Sequence, residues 1–198
     1  MSVIRAFIAI EMPSEIQASL AQVSANLAAE LAGIPIRWIP AENIHLTLKF
    51  LGDVSISNVE LLKGILSAEA VLHTPFEISV GELGAFPSQS RPRVLWVAVQ
   101  APSDLQSIRS GLENETARIG YSREKHPFSP HLTLGRVSRN ANSREVRKVC
   151  EVLSRHKVGF LGAARVEELH LFRSDLKPGG AIYTIQFSAS LKPEYYTI

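Results

Sequence analysis

The 198-residue sequence contains one cysteine, Cys150, which excludes an intrachain disulfide and a thiolate metal cluster. Long hydrophobic runs are also missing. The most apolar stretch, MSVIRAFIAI, is interrupted by Arg5 and followed by Glu11 and Pro13, so it fits neither a signal peptide nor a membrane span. These absences predict a protein of the reducing cytoplasm that does not associate with membranes.

Positive and negative charges nearly cancel over the whole chain, since the formal net charge is +2. Basic residues nevertheless crowd the stretch 123–148, where few acidic residues accompany them. Such a run either contacts an anionic partner or forms a solvated face, and the sequence leaves both interpretations open. With 45% hydrophobic residues, the chain has enough apolar surface for a sizeable core, and we expect one domain over residues 1–198.

Hydrophobic periodicity predicts strands that alternate with helices. The predicted strands are 3–10, 36–39, 44–50, 76–80, 94–99, 131–137, about 165–172 and 181–188. The predicted helices follow capping boxes at Ser14, Ser57 and Ser103, and a fourth covers 143–155. The glycine- and proline-containing segment 81–93 is predicted to be a loop. This order predicts an α+β fold with two pseudo-symmetric lobes, each a mostly antiparallel sheet backed by two helices, around a central cleft.

The tetrapeptide HLTL occurs twice, at residues 45–48 and 131–134. Side chains alternate along a strand, so each copy turns its leucines toward a core and its other two side chains to the opposite face. If the two faces meet, they bring together His45, Thr47, His131 and Thr133. One neutral imidazole can take a proton from water while a protonated one donates to a leaving oxygen, and the hydroxyls can hold a phosphate. The repeat therefore predicts acid–base chemistry on a phosphate ester without a metal or cofactor.

Three alternatives compete with this interpretation. Each motif taken alone is more typical of a strand that exposes histidine and threonine to solvent than of a catalytic site. A zinc site would need a third ligand, and Glu42 lies off register. A serine hydrolase would need a Gly-x-Ser-x-Gly elbow, which the sequence lacks. Only the presence of two motifs with the same register favours catalysis.

Five segments resemble the 2H phosphoesterase superfamily and, within it, the RNA 2′,3′-cyclic phosphodiesterases, also called 2′-5′ RNA ligases. They are RAFIAIEMP, RWIPAENIHLTLKFLGDV, GELGAFPSQSRPRVLWVAV, FSPHLTLGR and LHLFRSDLKPGGAIY, and they span nearly the whole chain. The resemblance implies a bilobal fold with both motifs in a central cleft. It also implies metal-independent opening of a 2′,3′-cyclic phosphate at an RNA end to leave a 2′-phosphate.

The resemblance further implies the roles of the motif residues. His45 resembles the proton donor to the departing 3′ oxygen, and His131 resembles the proton acceptor that activates water. Thr47 and Thr133 resemble the phosphate-binding residues. The expected partners are RNA ends or nucleotide cyclic phosphates, and the protein is expected to be a monomer.

Three arginines are further candidates for substrate binding. Arg136 matches a family arginine, but strict alternation places it on the leucine face unless the strand bulges at Gly135, which we expect. Phe50 meets the same difficulty as a base-stacking candidate, and we leave it out of the site. Arg91 and Arg93 are candidates for the RNA backbone, since both lie at the far end of the predicted loop.

Three other functions stay open from sequence alone. One is a phosphodiesterase for small cyclic phosphates such as ADP-ribose 1″,2″-cyclic phosphate. Another is 2′-5′ RNA ligation, which is the reverse reaction with a 5′-hydroxyl in place of water. The last is a nucleotide- or RNA-binding module that carries out no chemistry.

Overall fold

A computed structural model describes residues 3–178 and 180–192. Its strands are β1 (Val3–Glu11), β2 (Ile36–Trp38), β3 (His45–Ser55), β4 (Phe76–Phe86), β5 (Val94–Gln100), β6 (His131–Val137), β7 (Phe160–Val166), β8 (Glu168–Lys177) and β9 (Gly180–Ser190). Its helices are α1 (Ser14–Glu30), α2 (Ile56–Ala70), α3 (Ser103–Arg118) and α4 (Ser143–Arg155), with a short 3-10 helix at Ala41–Asn43.

All strand pairs that join these elements are antiparallel, and they form one sheet in the order β7-β4-β5-β6-β3-β1-β8-β9, with β2 paired to β6. The order is symmetric about the boundary between β6 and β3. We call β3, β1, β8 and β9 the His45 lobe, and β6, β5, β4, β7 and β2 the His131 lobe. The predicted α+β fold with two pseudo-symmetric lobes is confirmed. However, the lobes share one sheet, and they interleave the two halves of the chain.

Each lobe is backed by two helices, as predicted. Helix α2 contacts α3, β8 and β9, and α3 contacts β3, so this pair covers the His45 lobe. Helix α1 contacts β6 and β7, and its Glu30 accepts hydrogen bonds from Arg155 of α4 at 3.1 Å and from the adjoining His156 at 3.0 Å. Helix α1 follows a strand of the His45 lobe but covers the His131 lobe. Helix α3 follows a strand of the His131 lobe but covers the His45 lobe.

One hydrophobic core joins the sheet to the helices. The motif leucines Leu46 and Leu132 are fully buried in it, and all four helices contribute buried side chains to the same cluster. We call this side of the sheet the helix face, and we call the opposite side, which carries the motif histidines and threonines, the motif face. No helix in the described part of the chain is long and apolar enough to cross a membrane.

The predicted loop at 81–93 is wrong over its first half, because β4 continues to Phe86. Gly84 pairs with Trp96 across the ladder, and a Cβ at residue 84 would overlap the Trp96 ring. The glycine is therefore a packing requirement within a strand rather than a turn signal. The predicted strand near 165–172 is also wrong in its bounds, since β7 ends at Val166 and β8 begins at Glu168.

The three predicted capping boxes are wrong as well. Helices α1, α2 and α3 begin after Pro13, Ser55 and Pro102, and none of these residues makes a side-chain cap hydrogen bond. The chain instead has a capping box at α4, where Asn142 accepts from the backbone of Glu145 at 3.0 Å and Glu145 accepts from the backbone of Asn142 at 2.7 Å.

Candidate active site

The two motifs lie side by side where the lobes join. Strands β3 and β6 pair at Leu46 and Leu132, the central apolar residues of the two motifs. The residues flanking these leucines point to the other face of the sheet, so the histidine and threonine of each motif share the motif face. In antiparallel register about this pair, each histidine lies on the side of the other motif's threonine. The motifs thus meet on adjacent strands of one sheet, not across a gap between two sheets.

Both motif histidines are held in the same way. His45 Nδ1 lies 2.8 Å from the carbonyl oxygen of Asn43, and His131 Nδ1 lies 2.7 Å from that of Ser129. A carbonyl oxygen only accepts, so each Nδ1 carries a hydrogen and donates it. In the neutral imidazoles, Nε2 is therefore an unprotonated base, and this is the tautomer that acid–base catalysis requires.

Strand β3 carries two β-bulges against β1, at Leu48 and Leu51, where the ladder skips one residue. The first bulge turns Lys49 into the helix face, where it is 3% exposed. It also returns Phe50 to the motif face, where Phe50 is 63% exposed and its ring centre lies 6.2 Å from that of Phe7. Strict alternation therefore assigns Phe50 to the wrong face, and a role for it in the site is not tested by this position.

A matching bulge in β6 decides the position of Arg136. The pairing with β5 skips Leu134, the neighbour of Gly135, so the expected bulge is confirmed. Arg136 is consequently exposed on the motif face, beyond Thr133. Its positive charge helps to lower the pKa of His131.

The surroundings of the two histidines differ. The ring of His45 stacks on Phe7 at 4.6 Å, and Tyr183 meets it edge-on at 5.1 Å. The ring of His131 meets Phe86 edge-on at 4.9 Å. Aromatic rings remove water from both imidazoles, and His131 also has the positive charge of Arg136 nearby.

These surroundings set the protonation of both groups. Burial lowers the pKa of His45 from 6.5 to about 4, and the hydrogen bond to Asn43 only partly opposes this. Burial also lowers the pKa of His131 below 6.5. The Ser129 carbonyl opposes that shift, and the charge of Arg136 adds to it. Both imidazoles are therefore mainly neutral at pH 7 in the free protein.

The low pKa of His45 predicts a loss of stability in acid. The folded state disfavours the imidazolium, so unfolding takes up a proton once the pH falls below 6.5, and the loss grows as the pH falls toward 4. This single group should account for about 3 kcal/mol of unfolding free energy between pH 7 and pH 4. Urea unfolding of wild type and His45→Asn at both pH values measures this contribution. An equal loss in both proteins would contradict it.

The threonine hydroxyls are available for a ligand. Thr47 and Thr133 are half-buried, and no other described residue forms a hydrogen bond with either hydroxyl. Two donors and two imidazoles on one face suit a tetrahedral phosphate with proton transfer on either side. Among residues 3–178 and 180–192, no three His, Cys, Asp or Glu side chains are grouped to hold a metal ion.

The other two arginine candidates lie just before the first residue of β5. Arg93 is exposed, and its Nη1 donates to the carbonyl oxygen of Ser138 at 2.8 Å, so its guanidinium already fastens the segment after β6. Arg91 is exposed in the loop between β4 and β5. Neither is placed beside the histidines by a contact, and their RNA-binding role stays a prediction.

Lys49 connects the first motif to the segment that precedes the second. Its Nζ lies 2.6 Å from Glu113 Oε2 of α3 and 2.6 Å from the carbonyl oxygen of Ser122. The same carboxylate oxygen accepts from the backbone nitrogen of Glu124 at 3.1 Å. This buried pair therefore fixes both the bulge in β3 and the segment that leads to Ser129, the hydrogen-bond partner of His131.

Comparison with known proteins gives one consistent result. Residues 10–96 and 97–183 each match the family model of LigT-like phosphoesterases. An RNA 2′,3′-cyclic phosphodiesterase of Methanothermobacter thermautotrophicus is 31% identical over 181 residues, which cover 91% of this chain and 95% of that protein. One of Aeropyrum pernix is 34% identical over 152 residues, or 76% of this chain and 84% of that protein. The crystal structure of E. coli LigT with 3′-AMP superposes with a TM-score of 0.77 at 26% identity, covering 96% of this chain and 99% of that one.

A bilobal sheet with a histidine and a threonine from each motif on one shared face defines a two-histidine phosphoesterase. The two tandem matches each contain one of these motifs. The chain belongs to the LigT-like phosphoesterase family.

Proposed function

We propose that this protein is an RNA 2′,3′-cyclic phosphodiesterase, which hydrolyses the cyclic phosphate at an RNA end to a 2′-phosphate. The observation that carries the proposal is the shared motif face, on which both imidazoles have their Nδ1 atoms tied to carbonyl oxygens. Relatives with this name match over most of their own length, which supports the same substrate class.

In the proposed reaction, Nε2 of His131 removes a proton from water while the water oxygen attacks phosphorus. The bond between phosphorus and the 3′ oxygen breaks, and protonated His45 donates its Nε2 hydrogen to that oxygen. Thr47 and Thr133 hydrogen-bond the non-bridging oxygens and hold the phosphorus in line. The products are a 2′-phosphate and a 3′-hydroxyl, and at the end of the step His131 is protonated and His45 is neutral.

Binding of the anionic substrate raises the proton affinity of the two imidazoles. Both imidazoles are mainly neutral in the free protein, and a phosphate anion beside them raises the pKa of each. The assignment of His45 as donor rests on the family resemblance. By burial alone His131 would hold a proton more readily, because His45 has lost more of its contact with water.

The test is a reaction with an RNA oligomer and a nucleoside that each end in a 2′,3′-cyclic phosphate, run with EDTA and with the products separated. We expect a 2′-phosphate and an unchanged rate in EDTA. Loss of activity in EDTA would overturn the metal-free scheme, and a 3′-phosphate product would reverse the oxygen that leaves. Binding without turnover would favour the binding module, and faster turnover of ADP-ribose 1″,2″-cyclic phosphate would favour the small-molecule alternative.

We also propose that one chain acts alone and in the cytoplasm. Both motifs and their supporting residues come from the same sheet, so the reaction needs no second copy. The single cysteine fits a reducing compartment. Ligation uses the same groups in reverse, but bulk water and dilute 5′-hydroxyl ends favour hydrolysis.

A further inference from the structure

Two arginines lie directly opposite each other beside the second motif. Strand β2 pairs with β6 so that Arg37 is the cross-strand partner of Arg136, and both are exposed. The side chains of Ile36 and Trp38 lie where a Cβ on Gly135 would point, at 3.2 and 3.0 Å, and both pack against the core. Arg37 alternates with these two residues, so it points to the motif face together with Arg136.

In the described part of the chain, no carboxylate pairs with either of these arginines. Within the described residues, neither arginine forms an ion pair, although other arginines such as Arg118 and Arg173 do. Like charges at directly opposite positions destabilise a sheet. A phosphate would relieve this repulsion, and the planar fork of each guanidinium matches phosphate oxygens in a bidentate geometry.

The distance between this arginine pair and the motif threonines matches the spacing of neighbouring phosphates in RNA. Because the bulge skips Leu134, Thr133 and Arg136 are two ladder positions apart, or about 7 Å along the strand. In an RNA whose terminal cyclic phosphate lies on the motif threonines, the next phosphate along the backbone is one nucleotide away. The distance from Thr133 to Arg136 is therefore comparable to the distance between these two phosphates.

The other lobe offers no equivalent cation. Phe50 follows its motif threonine by three residues across a bulge, as Arg136 does, and so takes the matching place in the His45 lobe. The backbone of a bound RNA is therefore attracted to the His131 lobe, and the apolar side chain of Phe50 lies in the His45 lobe.

We propose, on the basis of the function proposed above, that Arg37 and Arg136 bind the phosphodiester that joins the terminal nucleotide to the rest of the RNA. The pair distinguishes an RNA end from a free nucleotide. Arg37 is the specific element of the proposal, because it has no role in binding the cyclic phosphate itself.

The experiment compares wild type with Arg37→Ala, Arg37→Lys and Arg147→Ala on two substrates, a nucleoside 2′,3′-cyclic phosphate and a short RNA with the same end. Arg147 is an exposed arginine of α4 in the basic stretch and serves as the matched control. We expect Arg37→Ala to lower kcat/KM for the RNA about tenfold and for the nucleoside less than twofold. Arg37→Lys should fall between, and the salt dependence of RNA binding should lose about one unit of slope.

Two further measurements separate the possible failures. Binding of an RNA with a 3′-terminal phosphate, measured by anisotropy, should weaken about tenfold in Arg37→Ala, whether or not the protein turns over cyclic phosphates. This result without turnover would retain the arginine site and overturn the proposed function. Equal losses in Arg147→Ala, equal losses on both substrates, or no loss of RNA binding would each overturn the arginine site. The melting temperature of ligand-free Arg37→Ala should not fall, because the substitution removes a repulsion.

Discussion

Replacing either motif histidine with asparagine is expected to lower kcat/KM for a 2′,3′-cyclic phosphate by about 10²- to 10⁴-fold, because each imidazole transfers one proton in the transition state. The double variant should be little worse than either single variant, since the two groups act on the same step. His156→Asn is the control, because that histidine lies on the helix side, bonded to Glu30 of α1. Circular dichroism checks that the variants remain folded. Substantial turnover in either single variant would overturn the proposed acid–base pair.

The same pair predicts an acidic optimum. The pH dependence of kcat/KM reports the ionisation of the free enzyme, and the pKa of both histidines is lowered below 6.5. The activity should therefore be bell-shaped with a maximum on the acid side of pH 6.5. It should decline on the alkaline side because the donor is then unprotonated in the free protein. An alkaline optimum would contradict the assignment of these two groups as donor and acceptor.

The second large effect is expected from the buried ion pair of Lys49 and Glu113. Lys49→Met leaves a carboxylate that is 6% exposed, with Arg109 at 3.4 Å as its remaining cation, and should cost about 3–5 kcal/mol of unfolding free energy. The exposed pair of Lys63 and Glu60 provides the control, and Lys63→Met should change stability by less than about 1 kcal/mol. Urea denaturation measures both.

A second variant distinguishes loss of the charge pair from loss of packing. In Lys49→Met with Glu113→Leu, the buried carboxylate is also removed, and the charge that loses its partner is Arg109, whose side chain is 11% exposed, so part of the lost stability should return. The restored protein should still show reduced kcat, since the Ser122 carbonyl loses its donor and the segment before His131 is held less firmly. A double variant no more stable than Lys49→Met would show that the charges are not the cause.

The chemistry-bearing residues could be predicted because the strand period is short and both motifs are regular over four residues. Alternation alone places His45 with Thr47 and His131 with Thr133, and the structure keeps each pair on one face. Their roles in catalysis remain predictions. That the two faces meet on adjacent strands follows from long-range pairing, which no local pattern records.

Alternation failed where bulges shift the register. The bulge before Arg136 could be expected because a glycine adjoins it, whereas the bulge at Leu48, which returns Phe50 to the motif face, has no glycine beside it. The sequence carries no local signal for the bulge at Leu48, because Lys49 and Phe50 keep the alternation of polar and apolar residues. In the structure Lys49 is buried and Phe50 is exposed, and the pairing of Lys49 with Glu113, 64 residues away, accounts for the inversion.

The glycine-rich loop and the capping boxes failed for another reason. Gly84 looks like a turn residue, but it lies in a strand because the Trp96 ring occupies its side-chain space. A serine followed three residues later by glutamine or glutamate matches the capping pattern by composition alone. The boundary is instead set at Pro13 and Pro102, which precede the first helical residue of α1 and α3.

The exchange of helices between the lobes has a consequence for synthesis on the ribosome. When the chain has emerged only to about residue 100, α1 has been made, but β6 and β7, the strands that it contacts, do not yet exist, and neither do β8 and α3. The buried side of β3 then has no α3 to shield it, and β1 lacks its partner β8. Neither lobe can close before nearly the whole chain is made, so the nascent protein should depend on chaperones until its last strands emerge.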